Sequence, residues 1–217
     1  MSHTFINKTS RSRLKRAVET VESRSAAEVM VVVRPWSGRC WHVDLAAGSL
    51  AAFVFLLAAL FTDINFSPVA VVCNVLIAFG IGAMIMTAAA PVRLFFATRQ
   101  FVELQVKRLG QSLFYQLGVD RTRDRSGILV FVSLLEKRCR VVPDVGVTQS
   151  MSEEAWQALS GALETSVSTY GVGAAGVDKL AEAIEALTEP LETALPRRHD
   201  DINELPDIMD EDEAKRF

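Results

Sequence analysis

The sequence predicts an α/β domain, with a small mixed sheet packed against helices, that is interrupted by a two-helix transmembrane hairpin. Two long windows without Lys, Arg, Asp or Glu lie inside the chain, and β-branched runs and amphipathic patterns lie on both sides of them. The chain has 217 residues, a formal net charge of −3 and 50% apolar residues. Outside the two windows, the chain is long enough for one compact domain with its own core.

The predicted hairpin consists of two apolar windows, which run from about 45 to 62 and from 68 to 91. Each is close to the roughly 20 residues that a helix needs to cross the hydrocarbon layer of a bilayer. Trp36 and Trp41 precede the first window, where aromatic side chains anchor helices at the membrane surface. We therefore expect residues 42–92 to span a membrane twice, rather than to form a buried pair of core helices.

Basic residues flank the hairpin on its outer sides only. The connecting segment 63–67 has none. Positive charge favours the cytoplasmic side of a membrane, so we expect an inner-membrane protein with both termini in the cytoplasm. The basic residues of the two outer flanks are Arg24, Arg34, Arg39, Arg93, Arg99, Lys107 and Arg108.

Small residues within the second window predict close helix packing. Gly80 and Gly82 lie near Asn74, the only amide side chain in either window. Small residues let helices approach each other closely in lipid. The pattern favours packing of the hairpin on itself over oligomerisation. A transport path is not expected, because such paths are marked by charged residues within the membrane.

A helix and a strand are predicted before the hairpin, within residues 1–41. Apolar residues recur at helical spacing across residues 10–23, and Asn7 or Thr9 can cap that helix. The β-branched run Glu28–Arg34 is typical of a strand that is covered on both faces.

Residues 93–192 are predicted to complete the same domain. Residues 93–117 have the apolar stripe of a long helix, which Gly118 ends. A buried strand at 127–135 and a returning strand at 138–142 are predicted to form a hairpin. The long helical connection lets the strand before the membrane hairpin pair in parallel with the strand at 127–135.

Two further helices and an acidic tail are predicted to end the chain. Ser150 or Ser152 can cap the first helix, and the second carries its apolar stripe from 177 to 191. The glycine-rich segment 171–176 matches G-x-G-x-x-G, but it follows no strand, so it favours a joint between helices over a dinucleotide site. Residues 193–217 are rich in acidic residues, and we expect them to be disordered.

Three segments give the soluble part a resemblance to the TPM domain family. They are Ala27–Val33 (A-E-V-M-V-V-V), Ser126–Ser133 (S-G-I-L-V-F-V-S) and Cys139–Val147 (C-R-V-V-P-D-V-G-V). The family includes a thylakoid-lumen protein of photosystem II repair and many bacterial membrane-anchored proteins. The resemblance implies a TPM-like fold in a bacterial membrane protein. Some relatives bind calcium and have been credited with phosphatase activity, but Asp144 replaces the first glycine of the family's T-G-Y-G pattern.

Carboxylates at the open end of the predicted β-hairpin are the candidate site residues. Asp120 and Asp124 precede its first strand, and Asp144 follows its second strand. Because the start of one strand lies beside the end of the next, these oxygen ligands could converge on a calcium ion. The alternative is ion pairing of the acids with interleaved arginines, which would repel a cation, and we favour it. Those arginines are Arg121, Arg123 and Arg125.

The sequence therefore favours a membrane-tethered, non-catalytic module that assists or regulates other membrane proteins. No nucleophile–base constellation, P-loop or metalloprotease motif is present. The near-neutral charge gives no reason to expect nucleic acid binding. The expected partners are the lipid bilayer and another membrane protein, with no cofactor. The alternative is a weak metal-dependent phosphatase that uses calcium or another cation at Asp124 and Asp144.

Overall fold

The chain forms two compact units in a computed structural model. The α/β unit comprises Met1–Ser37 and Glu103–Phe217, and the hairpin unit comprises Gly38–Val102. The residues that the structure describes are 7–38, 41–62, 67–89, 92, 98–197 and 204–210.

The described helices and strands follow one another in an order that places the hairpin between the first strand and its neighbours. In the first part of the chain, these elements are α1 Lys8–Arg24, β1 Glu28–Arg34, α2 Trp41–Phe61 and α3 Pro68–Ala88. In the second part, they are α4 Arg99–Gln116, β2 Gly127–Ser133, β3 Arg138–Pro143, α5 Val145–Ser150, α6 Glu153–Tyr170, α7 Ala174–Glu185, α8 Thr188–Ala194 and β4 Ile208–Met209.

The described strands form one mixed sheet in the order β3-β2-β1-β4. Strands β1 and β2 are parallel, and their register runs from the pair Glu28 and Gly127 to the pair Arg34 and Ser133. Strand β3 pairs antiparallel with β2, and the short β4 pairs parallel with β1. The predicted fold class, the parallel pairing and the β2–β3 hairpin are confirmed.

The sheet is covered on both faces, which explains the continuous apolar runs of β1 and β2. Alternate side chains of a strand point to opposite faces. On one face, Val31 and Val130 belong to a buried cluster that includes residues of α1, α6, α7 and α8. On the other face, Val32 and Phe131 pack in a second cluster with Leu113 of α4.

Local signals set several helix ends as predicted. The side chain of Asn7 accepts a hydrogen bond from the backbone N–H of Ser10 at 2.7 Å and caps α1. Gly118 follows the last turn of α4 with φ +69°, in the left-handed region that glycine adopts at little cost. Gly171, with φ +76°, follows α6 and makes the predicted joint between helices.

Two predicted helix boundaries are wrong in detail, and one of two predicted caps is confirmed. Helix α4 begins at Arg99, because Thr98 is not helical, and residues 93–97 lie outside the described part. The cap of α6 is Ser152, which accepts from the N–H of Ala155, whereas Ser150 ends α5. The stripe from 177 to 191 is divided between α7 and α8. The residue responsible for this division is Pro190, whose missing N–H cannot bond four residues back along the chain.

The predicted disordered tail is wrong for part of its length. Residues 204–210 lie along the sheet and contain β4. Leu205 and Met209 are buried in the second cluster. The acidic composition of 193–217 obscured these two apolar anchors. The other tail residues from 198 to 203 and from 211 to 217 lie outside the described part.

Candidate functional site

The open end of the β2–β3 hairpin brings the start of β2 beside the residues that follow β3, as the sequence predicts. The N–H of Asp144 donates to the carbonyl of Gly127 at 2.8 Å. The N–H of Gly146 donates to the carbonyl of Arg125 at 2.9 Å. These bonds fix the backbone on which the candidate acids stand.

Asp144 is the most enclosed of the predicted site residues, since it is only 2% exposed. Its Oδ1 accepts the N–H of Val145 at 2.7 Å, which caps the short helix α5. The same oxygen lies 3.0 Å from Nη2 and 3.2 Å from Nε of Arg125. Its Oδ2 is buried and has no hydrogen-bond partner among the described residues. Oδ1 of Asp144 therefore already accepts hydrogen bonds from Val145 and Arg125, whereas Oδ2 is a buried acceptor.

Arg125 is held in an unusual backbone conformation, with φ +54°. Residues other than glycine rarely adopt this region and pay for it in conformational energy. The backbone at Gly146 packs directly against residues 124 and 125 and so holds Arg125 in this conformation. A Cβ on Gly146 would lie 2.5 Å from the carbonyl oxygen of Asp124 and 2.6 Å from that of Arg125. Glycine is therefore required at position 146.

A cleft of about 540 Å³ opens beside this ion pair. It lies between the C-terminal half of α4, the end of β3 and the start of α5. Phe114 and Tyr115 supply aromatic surface. The polar side chains that line it are Gln111, Ser112, Arg125, Asp144 and Thr148. The half-exposed guanidinium of Arg125 suits a small ligand with an anionic group.

Asp120 and Asp124 do not join Asp144 in a cation cage. Asp120 lies in the short 3-10 turn Val119–Arg121, and Asp124 lies in the loop that follows it. Among the residues that the structure describes, no three His, Cys, Asp or Glu side chains are grouped to hold a metal ion. The guanidinium of Arg125 lies against Oδ1 of Asp144, where its positive charge would repel a cation. One of the three interleaved arginines, Arg125, pairs with Asp144.

The hairpin unit contains two helices that are long and apolar enough to cross a membrane. Helices α2 and α3 have 21 residues each, and their apolar windows are 11% and 0% buried. Large apolar side chains project from all along them. Among the most exposed are Leu50, Phe53, Leu60, Phe61, Val69, Leu76, Met84 and Ile85.

Small residues let α2 and α3 pack closely against each other, as the sequence predicts. A Cβ on Gly82 would lie 2.6 Å from Cβ of Ala51 and 2.9 Å from the carbonyl oxygen of Ala47. A Cβ on Gly48 would lie 2.9 Å from the ring of Phe79. The close approach depends on the absence of side chains at Gly48 and Gly82.

The sequence interpretation missed the residues that cover the edge of β1. Leu205 and Met209 pack in the core, and Asp207 pairs with Lys15 at 3.0 Å. The sequence pattern that could have indicated them is a pair of apolar residues, Leu205 and Met209, four positions apart within an acidic segment. Glu22 was also missed, since it looked like one more polar residue on the exposed face of α1. Its carboxylate accepts the N–H of Val29 at 3.1 Å, and burial raises its pKa to about 8.

Comparison with known proteins gives a likeness of fold. The NMR structure of BA42 protein from the psychrophilic bacterium Bizionia argentinensis has a TM-score of 0.57 to this chain. The two sequences are 16% identical, and the match covers 97% of this chain and 99% of that one. No family model and no curated protein matches the chain.

Proposed function

We propose that this chain is an integral membrane protein whose α/β unit assists or regulates other membrane proteins from the cytoplasmic side. The support comes from where the apolar surface lies in the chain and from the chemistry of the α/β unit. The partner in this proposal is a membrane protein that meets the α/β unit at the bilayer surface.

The apolar exposure of the hairpin unit carries the proposal. Leu60 is 71% exposed and Val69 is 73% exposed, although both lie in helices without any Lys or Arg. Soluble proteins rarely expose contiguous apolar patches larger than a few hundred Å². A lipid environment removes this cost, because the helices satisfy their own backbone hydrogen bonds and expose mostly apolar side chains.

The charge distribution supports an orientation with both ends in the cytoplasm. Arg34 precedes α2, and Arg99 and Lys107 follow α3, whereas the connecting segment 63–67 has no basic residue. Short basic flanks of a span are retained on the cytoplasmic side. Only the connecting segment 63–67 would then lie on the side of the bilayer away from the cytoplasm.

The competing proposal, a weak metal-dependent phosphatase, draws less support from the site. Hard cations prefer several oxygen ligands, and Oδ1 of Asp144 is already bonded to Arg125. Phosphatase activity that survives replacement of Asp124 and Asp144 by asparagine would count against this alternative. Activity that disappears while the melting temperature is unchanged would instead support it.

Cysteine accessibility tests the membrane placement. The native cysteines are replaced by alanine, and single cysteines are introduced as Ser2→Cys, Asn65→Cys or Glu213→Cys. In intact cells, a membrane-impermeant maleimide should label only Asn65→Cys. Labelling of either terminal position in intact cells contradicts the orientation. Release of the chain by alkaline carbonate contradicts integral insertion.

Photocrosslinking in native membranes tests the accessory role. A photoreactive residue is placed at Glu19 on α1, beside Lys15 at the edge of β1, and at Glu154 on the exposed surface of α6 as the matched control. We expect one dominant crosslinked membrane protein from the first position and none from the second. Equal patterns from both positions would contradict a specific contact surface at the sheet edge.

A further inference from the structure

The edge of β1 is covered by a short piece of the same chain. Strand β1 has seven residues, but β4 has only two, Ile208 and Met209, which pair with Val31 and Val32. The N–H of Val31 donates to the carbonyl of Asp207 at 2.9 Å. Residues 204–210, which we name the strap, thus bind to β1 as an added strand.

Two apolar side chains anchor the strap in the core. Leu205 is 9% exposed and Met209 is 4% exposed. Both belong to the cluster that contains Met30 and Val32 of β1 and Val119. Main-chain bonding supplies affinity in strand addition, and side-chain pockets supply selectivity. The pocket here holds two apolar residues four positions apart, and Ile208 between them packs against the cluster on the other face of the sheet.

Opposite charges and backbone groups position the acidic residues of the strap. Asp207 lies 3.0 Å from Nζ of Lys15, and Asp210 lies 3.8 Å from Nη1 of Arg11. The carboxylate of Glu204 accepts the N–H of Arg123 at 3.0 Å. The rim of the groove therefore complements a segment with acids on either side of its apolar anchors.

The strap completes only part of the strand edge. At the start of β1, the N–H of Val29 donates to the side chain of Glu22, where an added strand would supply a carbonyl. Beside it, the side chain of Glu28 accepts the N–H of Glu204 at 3.3 Å. A longer strand would replace these side-chain caps with a regular ladder and gain further main-chain bonds. The groove thus has more bonding capacity than the strap uses.

We propose that the edge of β1 is a docking groove for an extended acidic segment of a partner protein, and that the strap occupies it until the partner displaces it. The partner segment carries two apolar residues four positions apart with acids between and around them. This inference gives the proposed accessory role its contact surface and so rests on that role. A tethered segment competes at an effective concentration on the order of millimolar, so only a longer or tighter segment displaces the strap.

A cleavable strap tests the groove in the full chain. A specific protease site is inserted between Arg197 and Glu204, and the chain is purified and folded in detergent before cleavage. The probe is a fluorescent peptide with the sequence of residues 204–210. We expect its apparent Kd to be at least about tenfold lower after cleavage, because the tethered competitor is then free to leave. No binding by the cleaved chain overturns the proposal.

A charge reversal distinguishes specific binding in the groove from non-specific binding of the peptide. In the cleaved chain, Lys15→Glu should weaken peptide binding by at least about fivefold at low salt, because it removes the partner of Asp207. A peptide carrying Asp207→Lys should recover binding to that variant. Lys179→Glu, an exposed lysine on α7 that pairs with Glu182, is the control and should leave binding unchanged. Equal losses for both variants overturn the proposal.

Two further measurements complete the test. If cleavage lowers solubility, the uncut Asp207→Lys variant provides a loosened strap with its apolar anchors intact, and it should bind the peptide more tightly than the wild type does. The wild-type chain could instead form concentration-dependent dimers that the peptide dissociates. That result would overturn the proposal in favour of strap exchange between copies. Peptide binding requires no bilayer, so failure of the peptide to bind would not contradict the membrane placement. Failure of the hairpin to insert would likewise not contradict the groove.

Discussion

Arg125 and Asp144 face each other across the open end of the β2–β3 hairpin, with Nη2 of the arginine 3.0 Å from Oδ1 of the aspartate. The arginine side chain is half exposed, whereas the aspartate is almost fully enclosed. Loss of Arg125 would leave the buried carboxylate of Asp144 without its ion-pair partner. This costs more free energy of folding than leaving a surface charge unpaired.

Replacement of Asp144 by alanine should lower the free energy of unfolding by about 1–2 kcal/mol, because it removes the cap of α5 and the acceptor of Arg125. Asp144→Asn keeps an acceptor oxygen for the N–H of Val145 and should lose less. Thermal unfolding of the α/β unit in detergent, followed by near-UV circular dichroism, measures both changes. Equal losses for the two variants would contradict the capping role.

Calcium at millimolar concentration should leave the melting temperature of the wild-type chain unchanged, because the positive charge of Arg125 beside Oδ1 repels a cation and, among the described residues, no group of three ligand side chains includes Asp144. Calorimetric titration of the full chain in detergent gives an independent measurement. Heat of binding together with a thermal shift, both lost in Asp144→Asn, would establish the metal site instead.

Gly146→Ala should destabilise the α/β unit, because its Cβ would lie 2.5 Å from a backbone oxygen that cannot rotate away. We expect a loss of at least about 2 kcal/mol, in the range of overpacked sites. Gly161→Ala is the matched control. It lies within α6, where a Cβ meets nothing within 4 Å, and it should stabilise the unit by about 0.5–1 kcal/mol. Chemical unfolding curves compare the two variants.

Gly82→Val should separate α2 from α3, because a Cβ there would lie 2.6 Å from Cβ of Ala51. Gly80→Val is the matched control, since a Cβ at that position meets nothing within 4 Å. Resistance of the hairpin to increasing SDS, followed by the fluorescence of Trp41 in chains whose Trp36 and Trp156 are replaced by phenylalanine, should fall for Gly82→Val only. A similar fall for both variants would point to a general effect of valine on the helix.

Glu22→Gln should remove a pH dependence of stability. Burial raises the pKa of Glu22 from 4.5 to about 8, so between these values the folded chain keeps a proton that the unfolded chain has lost. Stability therefore falls as pH rises through this window. At pH 8, the variant should be more stable than the wild type by on the order of 4 kcal/mol, and near pH 4.5 the two should agree.

The matched control for Glu22→Gln is Glu19→Gln, which lies on the exposed face of the same helix. Its melting temperature should track that of the wild type at both pH values. An unchanged difference between Glu22→Gln and the wild type across the window would show that Glu22 keeps its ordinary pKa in the folded chain.

The elements that local sequence determines were predictable. Helix α1 has both an apolar stripe and the cap Asn7, and β1 and β2 are continuous buried runs. The parallel pairing of β1 with β2 followed from the helical connection between those strands. Helix α4 could be predicted to exist, but its start could not, because Thr98 lies among apolar and basic residues that carry no stop signal.

The candidate site was predictable in its backbone and not in its side chains. The pairing of Ile128 with Pro143 places Asp144 at the start of β2, as strand geometry requires. Which arginine would reach that carboxylate depends on the positive φ of Arg125, which no local pattern indicates. The strap was missed because burial of Leu205 and Met209 is a tertiary effect that acidic composition conceals.

The position of the hairpin in the chain also sets the order of biogenesis. Both neighbours of β1 in the sheet, β2 and β4, are synthesised after the two spans. The valine-rich β1 therefore leaves the ribosome with neither hydrogen-bonding neighbour available, and unpaired apolar strands are prone to aggregate. Under the proposed membrane insertion, a chain whose hairpin fails to insert would keep this strand exposed for longer and become a substrate for chaperones and proteases.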